Sequence, residues 1–367
     1  MRRVLVRFTQ GRELLLGQRG RQAPGPGIGA FHLHHTCSAL VYRHHGDLLD
    51  LVRMEQMSLP ALGPHSIRLK MLAAPINPAD INMLQGTYPI RPPLPSVGGN
   101  EGVGEVVEVG SDVINLRPGN WAIPWDAGFG TWRTEVVCEE EDLLQVPRQL
   151  SVLEAATVAV NPCTAYRMLH DVTQLPPGSC VIQNGANSAV GQAVIQIAST
   201  LGLKTINIIR DRANQQEVKE ELKQMGADLV VTEEELYNVR GQALQGLPRP
   251  VLGLNCVGGR SGGLVLAQLR EGATMVTYGG MSRKPLLVPT GCLIFNNLKL
   301  RGFWMTQWKR DNRHDMMRLQ NMVTAVCGLL LSGKLRPPRC VPVPFSQYRQ
   351  ALQATSHAHS RKHVLMM

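Results

Sequence analysis

The sequence predicts an α/β protein in which a β-rich domain precedes a domain built on a doubly wound parallel sheet. Residues 41–160 contain short apolar runs punctuated by glycine and proline, which is typical of strands. From about residue 180 to 304, apolar runs alternate with helical periodicity, and this alternation indicates a parallel sheet covered by helices. The residues after 305 are too few for a domain of their own, so we expect them to pack back on the first domain.

The clearest strand–helix–strand unit of the second domain lies at 181–212. An apolar run at 181–182 enters a turn of small residues that contains Gly185 and Gly191. The following helix has apolar residues at i, i+3, i+4, i+7, i+8 and i+11, namely Val190, Ala193, Val194, Ile197, Ala198 and Leu201. Such a turn presents backbone N–H groups and the positive end of a helix dipole to the phosphates of a dinucleotide. It is not a full G-x-G-x-x-G, so a strand–turn–helix without a ligand is the alternative.

The residues after the second strand of this unit indicate which dinucleotide fits. NAD-specific folds usually place an acidic residue here for the ribose 2′-OH, whereas arginine accommodates a 2′-phosphate. The strand at 205–209 is followed by Arg210, Asp211 and Arg212. A charge-assisted hydrogen bond contributes roughly 1.5–3 kcal/mol, so two arginines favour NADPH by roughly a hundredfold or more. Asp211 is a competing feature, and it either meets the ribose or caps the next helix at 213–225.

Composition restricts the class of protein and its compartment. The 367 residues are 44% hydrophobic, and no apolar run reaches the ~18 residues that a membrane span needs. The eight cysteines include no C-x-x-C pair, which argues against a disulfide framework or a structural zinc site. Six arginines against one glutamate give residues 1–40 five of the ten net positive charges. This segment is typical of a mitochondrial transit peptide, with an unstructured basic tail as the alternative. No nucleic-acid motif accompanies the remaining charge.

Seven longer segments add a family resemblance that covers residues 39–367. They are A-A-P-I-N-P-A-D-I-N at 73–82, L-P-S-V-G-G-N-E-G at 94–102, G-T-W-R-T-E at 130–135, V-N-P-C-T-A-Y-R-M at 160–168, L-N-C-V-G-G at 254–259, T-M-V-T-Y-G-G-M at 274–281 and L-R-G-F-W at 300–304. With them the chain resembles the medium-chain dehydrogenases/reductases and, within these, the mitochondrial trans-2-enoyl thioester reductases of fatty acid synthesis. The resemblance implies a GroES-like catalytic domain, a Rossmann domain and an active site in the cleft between them.

The resemblance also gives the expected domain boundaries. We expect a transit peptide at 1–40, the GroES-like catalytic domain at 41–160, the Rossmann NADPH-binding domain at 161–305 and a segment returning to the catalytic domain at 306–367. The expected location is the mitochondrial matrix, and the expected assembly is a homodimer formed through the cofactor domain.

Two positions argue against a catalytic zinc ion. Zinc-dependent relatives have a Cys ligand before a T-D pair and a His ligand before Glu, whereas this chain has Asn77 at the start of 77–80 and Asn100 before Glu101. Asparagine is a poor replacement for thiolate or imidazole at zinc. An enzyme without this Lewis acid needs a substrate that is already electrophilic, and a conjugated enoyl thioester meets that need.

Reduction of an enoyl thioester also requires a proton donor that is uncharged near neutral pH. Tyrosine, with an ordinary pKa of about 10, is suited to this role. The family carries such a tyrosine in the loop before its L-P-x-V-G-G-N-E-G segment, and here that residue is Tyr88. The residues alone instead predict that Tyr88 anchors a Pro-rich loop.

The resemblance assigns the other cofactor contacts residue by residue. It places Asn161 near the nicotinamide, Arg210, Asp211 and Arg212 at the ribose phosphate, and Lys362 against the cofactor from the C-terminal segment. Four residues line the pyrophosphate turn: Asn187, Ser188, Ala189 and Val190. Seven residues edge the nicotinamide cleft: Tyr278, Gly279, Gly280, Met281, Phe303, Trp304 and Met305.

Partners and rival functions remain open at this point. Acyl carrier proteins are acidic, so a basic patch of Lys309, Arg310 and Arg313 is one candidate docking surface, and a solvated charged turn is the other interpretation. An NADPH:quinone reductase of the same superfamily is the first alternative function. A binding or coregulator protein that keeps the fold is the second.

Overall fold

The computed structural model describes residues 35–46, 51–238, 246–356 and 361–367. Most of the predicted transit peptide therefore lies outside the described residues. The strands are β1 (Thr36–Tyr42), β2 (Arg53–Ser58), β3 (Ser66–Pro75), β4 (Ser96–Val97), β5 (Val103–Val109), β6 (Trp121–Pro124), β7 (Glu135–Glu139), β8 (Leu143–Val146), β9 (Cys180–Asn184), β10 (Lys204–Ile209), β11 (Leu229–Thr232), β12 (Leu252–Asn255), β13 (Thr274–Thr277), β14 (Lys299–Gly302), β15 (Cys340–Pro344) and β16 (Lys362–Met366).

The helices cluster in the second half of the chain, as the alternating pattern predicts. They are α1 (Pro78–Leu84), α2 (Val152–Thr157), α3 (Asn161–Asp171), α4 (Ala189–Thr200), α5 (Gln215–Gln224), α6 (Glu233–Asn238), α7 (Gly259–Gln268), α8 (Thr290–Ile294), α9 (Met305–Asp311), α10 (Met316–Leu331) and α11 (Tyr348–Ser356). No helix among the described residues combines the length and apolar character that a membrane crossing requires.

The first domain is built from mainly antiparallel sheets, in which β15 and β16 pair in parallel. One sheet has the order β2-β1-β4, and a larger one has the order β15-β16-β3-β5-β6-β8, with β7 also paired to β3. The long strand β3 alternates buried Ile67, Leu69 and Met71 with more exposed neighbours, as a sheet with one covered face requires. This part of the molecule is the GroES-like domain.

The start of β1 corrects the expected end of the leader. Strand β1 begins at Thr36, inside the predicted segment 1–40, and pairs with β2 along its length. Ala39 and Leu40 are fully buried. A leader that ended at residue 40 would therefore remove five of the seven residues of a core strand.

The second domain contains a six-stranded parallel sheet in the order β11-β10-β9-β12-β13-β14. The strand order reverses between β9 and β12, and ligands of such sheets bind where this reversal occurs, outside the carboxyl ends of the strands. Strands β9 and β12 are buried at every residue, because helices cover both faces of the sheet. The expected doubly wound Rossmann sheet is confirmed.

The segment after β14 returns to the first domain. Helix α10 packs on β8 and α3, and β16 inserts between β15 and β3, where Val364, Leu365 and Met366 pair with residues 73–75. One hydrophobic core joins the two domains, since Val103 and Ile123 of the first sheet belong to the same buried cluster as Val181 of β9 and Leu319 of α10. This shared core holds the two domains together.

Candidate active site

The predicted pyrophosphate turn connects β9 to α4 and is shaped for close approach of a ligand. Gly185 has φ +59°, and a Cβ on Gly191 would lie 2.5 Å from the carbonyl oxygen of Ala186. Ser188 caps α4 by accepting a 3.2 Å hydrogen bond from the backbone N of Gly191. The N–H groups of Ala189 and Val190 have no acceptor within the helix, because they belong to its first turn. Unpaired N–H groups at a helix N-terminus are groups that can bind a phosphate.

The predicted 2′-phosphate residues follow the carboxyl end of β10. Among the described residues, neither Arg210 nor Arg212 forms an ion pair with a carboxylate, and Nε of Arg212 is buried without a hydrogen-bond partner. Burial and the neighbouring Arg210 lower the pKa of Arg212. Two close cations without a counterion form a site suited to a dianionic phosphate.

Asp211 has a different partner from the one that the sequence suggests. Its Oδ2 accepts a 3.4 Å hydrogen bond from the backbone N of Glu234 in α6. Asn214 is the N-terminal capping position of α5. The interpretation of Asp211 as a cap of the helix at 213–225 is therefore wrong.

The residues predicted to surround the nicotinamide follow the carboxyl ends of β13 and β14. The backbone N of Tyr278 donates to the carbonyl of Asn255 at the end of β12, and that of Phe303 donates to the carbonyl of Thr277. Gly279 and Gly280 are at least partly exposed, Met281 is 61% exposed, and Met305 is buried in the shared core. These residues lie at the same edge of the sheet as the phosphate turn.

Two further polar groups at this edge are buried without partners among the described residues. They are Nδ2 of Asn161, at the start of α3, and the hydroxyl of Tyr278. Buried polar groups are nearly always hydrogen-bonded in native proteins, so groups left unpaired at a cleft call for a ligand. Together with the phosphate turn and the two arginines, they fit a phosphorylated dinucleotide.

Tyr88 and Trp304 meet across the cleft. Nε1 of Trp304 donates a 2.8 Å hydrogen bond to the hydroxyl oxygen of Tyr88, and the rings pack edge to face with their centroids 5.8 Å apart. Burial raises the pKa of the Tyr88 phenol, and the Trp304 hydrogen bond opposes part of this shift. The phenol therefore stays protonated at neutral pH, and its own hydrogen is not used in the bond with Trp304.

Tyr88 lines a cleft of about 500 Å³ that opens to solvent. Its lining includes Tyr88, Asn77, Asn100, Trp125, Ala159 and Lys309. The lining combines apolar side chains with polar ones, which is typical of a small-molecule site.

The floor of the cleft is a hydrogen-bonded network at the positions where zinc-dependent relatives carry ligands. Nδ2 of Asn77 donates to Oε2 of Glu101 at 2.8 Å, and the backbone N of Asn77 donates to Oδ2 of Asp80 at 2.7 Å. Nδ2 of Asn100 donates to Oδ1 of Asp80 at 2.5 Å. Among the described residues, no group of three or more His, Cys, Asp or Glu could hold a metal ion. The amide side chains thus satisfy the buried carboxylates.

Burial perturbs two ionisable groups near this floor. Desolvation raises the pKa of Asp80 to about 7, although the hydrogen bonds from Asn77 and Asn100 and the charge of Lys362 oppose the shift. Desolvation also lowers the pKa of Lys309, against the nearby Cys163, Glu101 and Asp126. The Lys362 ammonium donates to Oδ1 of Asn77, so the structure places this predicted cofactor residue at the cleft floor.

The basic patch expected at Lys309, Arg310 and Arg313 is wrong. Lys309 is only 6% exposed, because it lies one helical turn after the buried Met305 on the inner face of α9. Nε of Arg310 lies 3.1 and 3.0 Å from the two carboxylate oxygens of Asp126, which neutralises it. Only Arg313 is exposed at this surface.

Sequence reasoning missed the roles of three buried residues in this cleft: Asp80, Glu101 and Lys309. Asp80 and Glu101 occur in the quoted segments only as neighbours of the two asparagines. Their charges in otherwise apolar surroundings were the available signal, since buried carboxylates need partners.

Comparisons with known proteins agree with this geometry. The family model described as "Alcohol dehydrogenase GroES-like domain" matches residues 63–148, and the one described as "Zinc-binding dehydrogenase" matches residues 189–321. A Homo sapiens protein named mitochondrial enoyl-acyl-carrier-protein reductase is 52% identical over 331 residues, which cover 90% of this chain and 88% of the relative.

Two solved structures are also similar. The complex of Etr1p with NADP and crotonyl-CoA has a TM-score of 0.84 at 32% identity and covers 91% of this chain and 100% of that one. The mitochondrial 2-enoyl thioester reductase Etr1p/Etr2p heterodimer from Candida tropicalis has a TM-score of 0.82 at 32% identity, with the same coverage.

Proposed function

This chain belongs to the mitochondrial enoyl-acyl-carrier-protein reductases of the medium-chain dehydrogenase/reductase superfamily, and from that premise we propose that Tyr88 is its catalytic acid. The chain is a mitochondrial oxidoreductase that reduces trans-2-enoyl thioesters to saturated acyl thioesters with NADPH. The observation that carries the role of Tyr88 is its hydrogen bond with Trp304 inside the cleft.

The reaction divides between the cofactor and the protein. When bound, NADPH supplies the hydride that adds to Cβ of the enoyl group. The Tyr88 hydroxyl then gives its proton to Cα. Because Trp304 donates to the phenol oxygen, the Tyr88 hydrogen is directed away from the indole, and the same bond stabilises the phenolate that forms. Solvent returns the proton to Tyr88 after each turnover.

The cofactor residues are assigned by the groups that each could bind. Asn187, Ser188, Ala189 and Val190 hold the pyrophosphate at the start of α4, while Arg210 and Arg212 bind the 2′-phosphate beside Asp211. The unpaired Asn161 amide and the edge formed by Tyr278, Gly279, Gly280, Met281, Phe303, Trp304 and Met305 bind the nicotinamide end. Lys362 reaches the same end from β16, since its bond to Asn77 leaves ammonium hydrogens available.

We propose that the natural carrier of the acyl group is the acyl carrier protein, which the name of the human relative gives as the carrier for that protein. Outside residues 1–40 the chain still carries half of its net positive charge, which favours an acidic partner. Raising the salt concentration should increase the KM for crotonyl-acyl-carrier protein and leave that for crotonyl-pantetheine, which has no phosphates, unchanged. An equal salt effect on both substrates would exclude electrostatic docking.

The chain forms a homodimer through its cofactor domain. Strand β14 ends the parallel sheet, and all four of its residues are exposed. Ile294 and Phe295, which precede it, are 66% and 78% exposed. An unpaired edge beside exposed apolar side chains is a surface that a second copy can cover about a twofold axis.

The experiment that tests the function is NADPH oxidation with trans-2-enoyl-CoA substrates of increasing chain length. NADH and 1,4-benzoquinone serve as the alternative cofactor and acceptor. We expect oxidation with enoyl thioesters and a strong preference for NADPH. Oxidation with the quinone and with none of the enoyl thioesters would identify a quinone reductase instead.

A further inference from the structure

The carboxylate of Glu101 connects two sides of the cleft. It is completely buried, and it accepts two hydrogen bonds of 2.8 Å each. Oε1 accepts from the backbone N of Val160, and Oε2 accepts from Nδ2 of Asn77. Both oxygens of a single buried charge are thus bound to different segments of the chain.

On one side, the connection leads to Tyr88. Asn77 is the capping position of α1, and its backbone N donates to Asp80 in the first turn of that helix. At the other end of α1, the carbonyl of Asn82 accepts a 3.2 Å hydrogen bond from the backbone N of Tyr88. Because α1 is a single short helix, a change in the position of Asn77 moves the attachment point of the acid.

On the other side, the connection leads to the cofactor residues. Val160 immediately precedes Asn161, whose amide is buried and unpaired. Lys362 donates to Oδ1 of Asn77, so the ammonium and the Glu101 carboxylate lie on opposite ends of the same amide. Asn77 therefore links the buried Glu101 carboxylate to the Lys362 ammonium, and this link partly compensates the negative charge of Glu101.

We propose that Asn77 and Glu101 form a positioning pair that fixes the acid side of the cleft relative to its cofactor side. The pair occupies the floor where zinc-dependent relatives hold their metal, and it replaces a metal–ligand linkage by an amide–carboxylate linkage. This inference rests on the proposed roles of Tyr88, Asn161 and Lys362. Asn77 and Glu101 are positioning residues, since they act through these three.

The first test is Glu101→Gln, which keeps the shape of the side chain but can turn an acceptor into a donor facing Nδ2 of Asn77. We expect kcat with crotonyl-CoA to fall and the Kd of NADPH, measured by fluorescence titration, to rise, each by roughly tenfold. The matched control is Glu108→Gln, an isosteric change of a half-exposed glutamate in β5, which should alter neither quantity. Unchanged kcat and Kd in Glu101→Gln would overturn the proposal.

The second test exchanges the two functional groups by combining Asn77→Asp with Glu101→Gln. The new amide at 101 donates to the new carboxylate at 77, and its oxygen still accepts from Val160. Lys362 again has an acceptor. We expect kcat and Kd to return to within about threefold of the wild-type values. If the double variant melts at the wild-type temperature but its kcat and Kd do not return toward the wild-type values, the proposal is overturned. This outcome decides the question even if Glu101→Gln alone does not fold.

The two readouts separate this inference from the proposed function. If the wild-type chain reduced no enoyl thioester, the function would fail, whereas the Kd of NADPH would still decide whether the pair positions the cofactor residues. If the wild-type chain were active and both variants kept normal kcat and Kd, the inference alone would fail.

Discussion

Nε1 of Trp304 donates a 2.8 Å hydrogen bond to the hydroxyl oxygen of Tyr88, although the two residues lie 216 positions apart in the chain. Tyr88 follows α1 of the GroES-like domain, and Trp304 follows the last strand of the parallel sheet. The acid that we propose in one domain is thus oriented by a donor from the other. This hydrogen bond forms only when both domains are folded against their shared core.

Replacing Tyr88 by Phe removes the proton donor and retains the ring. We expect kcat with crotonyl-CoA to fall by roughly a hundredfold to ten-thousandfold, which is the usual contribution of a general acid. The Kd of NADPH should not change. Stopped-flow measurement of NADPH absorbance with purified protein gives kcat, and Tyr237→Phe, at an exposed tyrosine, is the control.

The partner substitution Trp304→Phe keeps the aromatic packing and deletes the Nε1 donor. Its loss of kcat should be smaller, about tenfold, because the acid itself remains. Full activity in Tyr88→Phe would exclude Tyr88 as the acid, whatever Trp304→Phe does.

Cofactor selectivity depends on the arginines after β10. Arg210→Ala should weaken NADPH binding by roughly ten- to a hundredfold, because a charge-assisted contact to the 2′-phosphate is lost, and should leave NADH binding unchanged. Fluorescence titration with both cofactors measures the two Kd values. Arg313→Ala, at an exposed arginine after α9, is the control. Equal losses for NADH and NADPH would place Arg210 away from the 2′-phosphate.

The buried Asp80 makes stability depend on pH. Its pKa in the folded protein is about 7, above the ordinary value of 3.8, so the folded state holds this proton more tightly than the unfolded state does. The contribution is fully present below about pH 4, and it is lost as the pH rises to about 7 and beyond. Each pKa unit corresponds to about 1.4 kcal/mol, so the total is of the order of a few kcal/mol.

Asp80→Asn mimics the protonated side chain and should remove this component. Melting temperatures between pH 5 and 8 should fall less steeply for Asp80→Asn than for the wild type. Asp112→Asn, at an exposed aspartate, corrects for general effects of charge removal. Parallel melting curves for Asp80→Asn and the wild type would show that Asp80 is ionised throughout this range.

The free edge of β14 predicts how the assembly can be broken. Phe295→Asp places a charge in the apolar surface beside this edge, so we expect the dimer to dissociate to monomers in analytical ultracentrifugation. Ile114→Asp changes a similarly exposed apolar residue of the first domain, 73% exposed, and should leave the dimer intact. If Phe295→Asp remains dimeric, the dimer interface lies on another face of the protein.

The position of β1 predicts where the leader ends. A chain beginning at His35 should keep the melting temperature and activity of the mature protein, because β1 is complete. A chain beginning at Val41 lacks the buried Ala39 and Leu40 and should lose several kcal/mol of stability, since deletion of one buried leucine side chain alone costs about 2–5 kcal/mol. Thermal denaturation distinguishes the two. N-terminal sequencing of protein from mitochondria should give a start before Thr36.

Local patterns were sufficient for most of the fold. The strand–helix–strand unit predicted at 181–212 corresponds to β9, α4 and β10, and the glycine turn at 185–191 connects β9 to α4 as expected. Helix α11, Tyr348–Ser356, was not predicted; it follows Pro342 and Pro344, which favour extended backbone. Elements whose residues alternate regularly can be predicted, whereas a short helix after prolines cannot.

Less of the candidate site than of the fold could be predicted from the sequence. Tyr88 was found through a family motif, but its bond to Trp304 depends on how two domains pack. Lys309 was assigned to the surface because a run of charges suggests solvent, yet it shares the buried face of α9 with Met305. Asp211 contacts Glu234 in a helix that begins more than twenty residues later. Such contacts are set by tertiary structure, and no local spacing encodes them.

Strand β16 has a consequence for biosynthesis. It is the last strand in chain order, yet it lies inside the sheet between β15 and β3, and it carries Lys362 to the cleft floor. During synthesis or import, the pairing of residues 73–75 of β3 can therefore be completed only after a segment nearly three hundred residues further along the chain has emerged. A chain truncated before residue 362 would keep the pairing of β3 with β5 and β7, but residues 73–75 would lose their β16 partner and the cleft floor would lose Lys362.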